Sequence, residues 1–131
     1  MIVFVDTSAL IAVLDVKEEA HDVATAKWNN LLTGEHILLT HNYVIVEAIS
    51  LIQARLGMTA INALAEDGLP VISVRWVDDL THKQALSAFL TANRRQLSFV
   101  DCVSFQVMRD LGIKSAFTLD THFKHQGFRI F

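Results

Sequence analysis

Apolar and polar positions fall in blocks along this chain, and the blocks alternate between two periods. Ile2–Val5 is a continuous apolar run with β-branched members, the pattern of a short strand buried on both faces. Thr7 or Ser8 can cap a helix continuing through Ala9–Asp15, and His21–Leu32 reads as an amphipathic helix ended by Thr33-Gly34. His36–Thr40 predicts a second buried strand, and Asn42 can cap a long helix over Tyr43–Leu56, stopped by Gly57. A short helix over Thr59–Ala65 and a turn at Asp67-Gly68 lead to a third strand, Pro70–Val74. Asp78 or Asp79 can cap a helix reaching Ala92, and Asn93–Leu97 forms a basic loop. Ser98 caps a helix ending at Leu111-Gly112, Ser115–Leu119 is a fourth strand, and Phe128–Ile130 a possible fifth at the edge. Strands alternating with helices imply right-handed crossovers and a mostly parallel sheet covered on both faces, a three-layer α/β/α sandwich.

Composition narrows the class. A length of 131 residues fits one compact domain, and 52% hydrophobic against 19% charged residues supplies a core and excludes a disordered tail. With a net charge of −3, the field of the whole protein does not attract nucleic acid, so a polyanionic ligand needs a local basic rim or bound cations. The single cysteine, Cys102, excludes an intrachain disulfide, no zinc-type cysteine spacing is present, and both fit a reducing cytosol. The apolar start lacks a basic flank and carries Asp6, unlike a signal peptide, and no run of ~18 apolar residues exists to span a membrane. The expectation is a cytoplasmic protein with no membrane association.

The chemistry lies in four acids placed among apolar neighbours. Asp6 follows the first strand and Asp120 the fourth, and in parallel α/β sheets ligands bind beyond the carboxyl ends of strands. Alone, each fits better as a cap for the following helix or turn. Glu47, in "NYVIVEAISLI", has Tyr43, Val44, Ser50 and Leu51 as its helical neighbours, which points it inward; a buried ion pair with Arg55 or Arg109 is the alternative. Asp101 completes a Ser98-x-x-Asp101 capping-box pattern but is surrounded by Phe99, Val100, Cys102, Val103 and Phe105. Four buried acids in one small domain repel one another unless cations intervene, and hard divalent cations with oxygen ligands are the natural solution. Such ions, with open positions for water and phosphate, are the apparatus of phosphodiester hydrolysis.

The ordered motifs "VDTSAL", "VEAISL", "LSFVDCVSF" and "TLDTHF" resemble the PIN domain, and most closely its VapC-type toxin ribonucleases. The resemblance covers essentially the whole chain, residues 1–131 as a single PIN domain, with no departure at the acid positions. It implies a sheet of four to five strands ordered 3-2-1-4-5, which sets the first and fourth strands side by side. It also implies that Asp6, Glu47, Asp101 and Asp120 form the catalytic acid set, with Asp6, Asp101 and Asp120 holding Mg²⁺ or Mn²⁺. Ser8 matches the family's small polar residue beside the first acid, and Thr118 its hydroxyl two residues before the fourth. Glu47 would position or deprotonate the attacking water. The implied activity is metal-dependent endoribonuclease, as the toxin of a type II toxin–antitoxin pair, with an antitoxin protein and a homodimer as partners. Two other readings remain open: a PIN nuclease in RNA processing or on structured nucleic acid without an antitoxin, and a non-catalytic binding module with structural acid pairs.

Several further residues have readings of their own. Arg94, Arg95 and Lys124, with His122 and His125, are candidates for RNA phosphate contact or simply a solvated loop. His122-x-x-His125 lacks the further ligands a zinc site needs and reads as surface histidines in a loop. Cys102 reads as a small core residue. Leu10, Val13, Leu14 and Trp28 read as an apolar surface for a partner or equally as core.

Overall fold

A computed structural model describes residues 1–131 and shows a five-stranded sheet in the order β3-β2-β1-β4-β5, every neighbouring pair parallel. The strands are β1 (Ile2–Val5), β2 (Ile37–His41), β3 (Ile72–Arg75), β4 (Ser115–Phe117) and β5 (Arg129–Ile130). The helices are α1 (Thr7–Leu14), α2 (His21–Thr33), α3 (Asn42–Leu56), α4 (Met58–Ala63), α5 (Asp79–Ala92), α6 (Phe99–Leu111) and α7 (His122–His125). They cover the sheet on both faces, giving the expected three-layer sandwich. No helix is long and apolar enough to cross a membrane.

The central strand explains the architecture. Val3, Phe4 and Val5 are fully buried because β1 is flanked by β2 and β4 and covered above and below. Trp28 of α2 stacks on Phe117 of β4, and Phe123 of α7 stacks on Phe4 while meeting Phe105 of α6 edge-on. Leu10 and Trp28 are therefore core. With the half-buried Val13 and Leu14 they line a small recess of about 100 Å³ closed by Ala63, Leu64, Asp67 and Gly68. Cys102 is buried, as its apolar neighbours required, and that burial raises its thiol pKa.

Four local expectations shift. The cap of α3 is His41, whose ring Nδ1 accepts from the Val44 amide at 3.3 Å; Asn42 instead uses its carbonyl to accept from the Val77 amide at 2.7 Å. Beyond α4 the chain continues as a π-helical turn over Leu64–Gly68 and a 3₁₀ turn over Leu69–Val71, so Asp67-Gly68 is part of a wide helical turn. Strand β3 starts only at Ile72, since Pro70 and its neighbours occupy that 3₁₀ turn. Strand β4 stops at Phe117, one residue before Thr118, whose hydroxyl and following amides are committed to the site described next.

His41 also ties two layers together. With Nδ1 accepting, Nε2 carries the proton and bonds the Ser104 hydroxyl at 2.8 Å, and Ser104 in turn donates to the Val100 carbonyl at 3.0 Å. The ring is completely buried, and burial holds its pKa down to about 3. A neutral imidazole thus locks the start of α3 against the first turns of α6, the two helices that carry Glu47 and Asp101.

Candidate active site

The sheet register delivers the first acid. Val5 pairs with Phe117, and the Asp6 amide continues the ladder by donating to the Phe117 carbonyl at 3.0 Å. Asp6 therefore lies beside Thr118. It occupies the N-cap position of α1 but makes no side-chain capping bond, so the helix-cap alternative does not describe it. Instead its Oδ2 accepts from the Ser8 hydroxyl and from the Thr118 hydroxyl, each at 2.8 Å. Those hydroxyls also organise the fourth acid's loop: Ser8 Oγ accepts from the Leu119 amide, and Thr118 Oγ1 from the Asp120 amide, both at 2.9 Å.

Asp101 reaches the same cleft from the first turn of α6. The capping box is real: Ser98 Oγ accepts from the Asp101 amide at 3.0 Å, and Asp101 Oδ2 accepts from the Ser98 amide at 3.4 Å. Asp120 is held through Oδ1, which accepts from both the amide and the ring Nδ1 of His122, at 2.9 and 2.7 Å. Each aspartate therefore has one oxygen tied to the protein. Asp6 Oδ1, Asp101 Oδ1 and Asp120 Oδ2 have no side-chain donor.

The electrostatics are those of an unbalanced anionic site. Burial raises the pKa of Asp6, with the Asp120 charge adding to it and the Ser8 and Thr118 hydrogen bonds opposing. Burial, reinforced by the charges of Asp6 and Asp120, pushes Asp101 up to about 7. The one ion pair in the structure, His122 with Asp120, neutralises the site only when that histidine is protonated. One ligand atom each from Asp101, Asp120 and His122 lies within 4.8 Å of the others, a group suited to a divalent metal ion. The donor set fits such an ion: Asp101 and Asp120 each keep an oxygen with no side-chain donor, and His122 adds an imidazole whose Nδ1 is bonded to Asp120, while Asp6 lines the same cleft outside this group of three.

Asp6, Glu47, Asp101 and Asp120 all line one open cleft of about 410 Å³, together with Thr7, Ser8, Glu18, Leu51, Arg55 and Ser98. The structure thus brings together all four expected acids and Ser8, with Thr118 buried directly behind them. Glu47 is half-buried and makes no hydrogen bond or ion pair, so the alternative of pairing with Arg55 or Arg109 does not hold. Arg109 is turned away, bonding Gln126 Oε1 at 2.7 Å and lying over the rings of Phe105 and Phe128. Arg94, Arg95 and Lys124 are exposed and do not line the cleft. Sequence reasoning took His122 for a surface histidine or a phosphate contact and missed its role at the site: it is half-buried in α7 and bonded to Asp120. An Asp-x-His spacing, in which the side chain accepts from the amide two residues on, was the available local signal. Glu18 and Arg55 carried no such signal.

A family model described as "PIN domain" matches residues 3–129. The chain belongs to the PIN domain family. Among curated PIN-type relatives, it is 33% identical over 127 residues to the 23S rRNA-specific endonuclease VapC20 of Mycobacterium tuberculosis, covering 96% of this chain and 95% of that one. The crystal structure of that VapC20, described as a Sarcin-Ricin loop cleaving toxin, superposes with a TM-score of 0.85 at 32% identity, over 98% of this chain and 96% of the other. FitAcB from Neisseria gonorrhoeae shares the PIN fold at TM-score 0.69 and 17% identity, covering 100% of this chain and 96% of that one.

Proposed function

We propose that this chain, as one PIN domain over residues 1–131, is a metal-dependent endoribonuclease and the toxin of a type II toxin–antitoxin pair. The observation that carries the reading is the convergence of Asp6, Asp101 and Asp120 in one cleft, each with one oxygen anchored and one spare. Likeness along nearly the full length to a 23S rRNA-specific endonuclease supports RNA as the substrate class. The description of that relative as a toxin supports a cognate antitoxin, and the family resemblance supports a homodimer.

The three aspartates are assigned to Mg²⁺ or Mn²⁺. When bound, such an ion supplies positive charge against the phosphate and lowers the pKa of water. The chain's own residues do the rest. Ser8 and Thr118 hold the Asp6 carboxylate by one oxygen, fixing the direction of the other. The Ser98 box and the His122 clamp do the same for Asp101 and Asp120. Glu47, free of partners and facing the cleft, orients the attacking water and accepts its proton as the new P–O bond forms, while the RNA chain P–O bond breaks and the departing ribose oxygen takes a proton from solvent. Hydrogen bonds that hold each carboxylate on rigid elements, from side chains and backbone amides alike, position the reaction without a histidine base.

The test compares wild type with Asp101→Asn on RNA and DNA oligonucleotides in Mg²⁺, Mn²⁺ or EDTA. Cleavage of RNA that requires metal and falls on the order of a hundredfold or more in the variant is expected. Metal-independent cleavage, or full activity in Asp101→Asn, overturns the assignment.

A further inference from the structure

The cleft presents five carboxylates, Asp6, Glu18, Glu47, Asp101 and Asp120, and a single basic side chain, Arg55. Arg55 lies in the last turn of α3 on the same face as Glu47 and Leu51, each four residues from the next. Arg55 lies eight positions beyond Glu47, which places them ~12 Å apart along the helix axis. The residue between them is Leu51, so the helix offers Arg55 no acid at i−4, and its i−3, i+3 and i+4 neighbours are Ile52, Met58 and Thr59. Arg55 is exposed and makes no hydrogen bond or ion pair. Its donors are therefore uncommitted, in a position where an anionic strand meets an otherwise repulsive wall.

We propose that Arg55 binds a backbone phosphate of the RNA displaced along the strand from the bond cleaved at the aspartates. This inference rests on the ribonuclease reading of the same cleft. A planar guanidinium can grip a phosphate through two parallel hydrogen bonds, giving position as well as attraction. The separation from Glu47 leaves the scissile phosphate to the carboxylate site and gives Arg55 a different one. Such a contact carries no base information; it fixes the register in which the strand crosses the acids. Leu51, half-buried between the two, offers an apolar surface for the intervening nucleotide.

The test uses a short single-stranded RNA substrate, with Arg55→Ala, Arg55→Lys and, as a charge-matched control outside the cleft, Arg129→Ala. Arg55→Ala is expected to raise KM about tenfold with little change in kcat. It is also expected to reduce the slope of log affinity against log salt by ~0.7, the value of one phosphate contact on a single strand. Arg55→Lys should recover part of the affinity, and Arg129→Ala should alter neither quantity. Replacing single phosphates with neutral methylphosphonates then locates the contact: one linkage, displaced from the cleaved bond, should matter to wild type and not to Arg55→Ala. Equal effects of Arg55→Ala and Arg129→Ala, or methylphosphonate effects that add to Arg55→Ala at every linkage, overturn the inference. A fall in kcat with KM unchanged also overturns it, because Arg55 then acts by orienting Glu47. Wild type that shows no metal-dependent RNA cleavage defeats the ribonuclease reading and this inference with it, whereas a cleaving wild type matched by Arg55→Ala defeats this inference alone.

Discussion

Replacing Asp101 by Asn should make the metal-free protein more stable, and increasingly so as pH rises. In the folded state Asp101 is pushed up to about 7, against 3.8 for the free side chain, by burial and by the charges of Asp6 and Asp120. A raised carboxyl pKa means the native state binds the proton more tightly than the unfolded chain. Its contribution to stability is therefore complete below pH 3.8 and is lost as pH rises through about 7. Between pH 5 and pH 7 the loss runs at ~1.4 kcal/mol per pH unit before screening, and little further is lost by pH 8. Asp101 is only 8% exposed but faces an open cleft, so solvent screening reduces the total over that range to about 1–2 kcal/mol. Asn has no charge to bury and keeps an oxygen for the Ser98 amide, so the capping box survives. Urea denaturation of both proteins in EDTA, at pH 5 and pH 8, measures the difference directly. The stability gap in favour of Asp101→Asn should widen by about 1–2 kcal/mol across that range. Adding Mn²⁺ should reverse the order, since an ion at a hundred times its Kd stabilises wild type by about 2.7 kcal/mol and the variant far less. A gap that stays constant with pH, or a variant less stable than wild type at pH 8 without metal, would refute the reasoning.

Three other outcomes follow from the same contacts. His122→Ala, which removes the ring bond to Asp120, should weaken Mn²⁺ binding by about 10–100-fold in calorimetry while leaving the urea midpoint in EDTA nearly unchanged. Thr118→Val keeps the side-chain shape but withdraws a donor from the buried Asp6 carboxylate, and should lower stability at pH 8 by about 1–3 kcal/mol. His41, held at about 3 by burial, should give a stability that falls as pH drops from 6.5 toward 3, by up to ~1.4 kcal/mol per unit. Measured in an Asp101→Asn background, which removes one of the two raised acids that oppose it and leaves Asp6 the same in both proteins, that slope should flatten when His41→Gln is added.

The sequence exposed the architecture because its strands are fully buried and read as unbroken apolar runs, set between helices of a different period. Sheet order came only with the family resemblance, since nothing local says that β1 lies between β2 and β4. The acids were legible because Glu47 and Asp101 sit among apolar neighbours where a charge needs a reason. Contacts made across the sheet were less so. Asn42 is a good capping residue by type, but its carbonyl is taken by Val77 from the neighbouring strand's end, and His41 caps instead. Arg94 and Arg95 drew attention by closeness in sequence to Asp101, whereas the cation in the cleft is Arg55, brought there by the pitch of α3. Leu10 and Trp28 show the reverse case, apolar positions whose burial depends on α2 folding back over β4.

The central claim is that the three aspartates hold a divalent cation in the cleft through their unanchored oxygens. An anomalous difference map from a Mn²⁺-soaked crystal of the wild-type protein tests it most directly. The account predicts a peak bounded by Asp6, Asp101 and Asp120, and its loss in Asp101→Asn. No peak in the cleft at millimolar Mn²⁺, or one that avoids these three carboxylates, would contradict it.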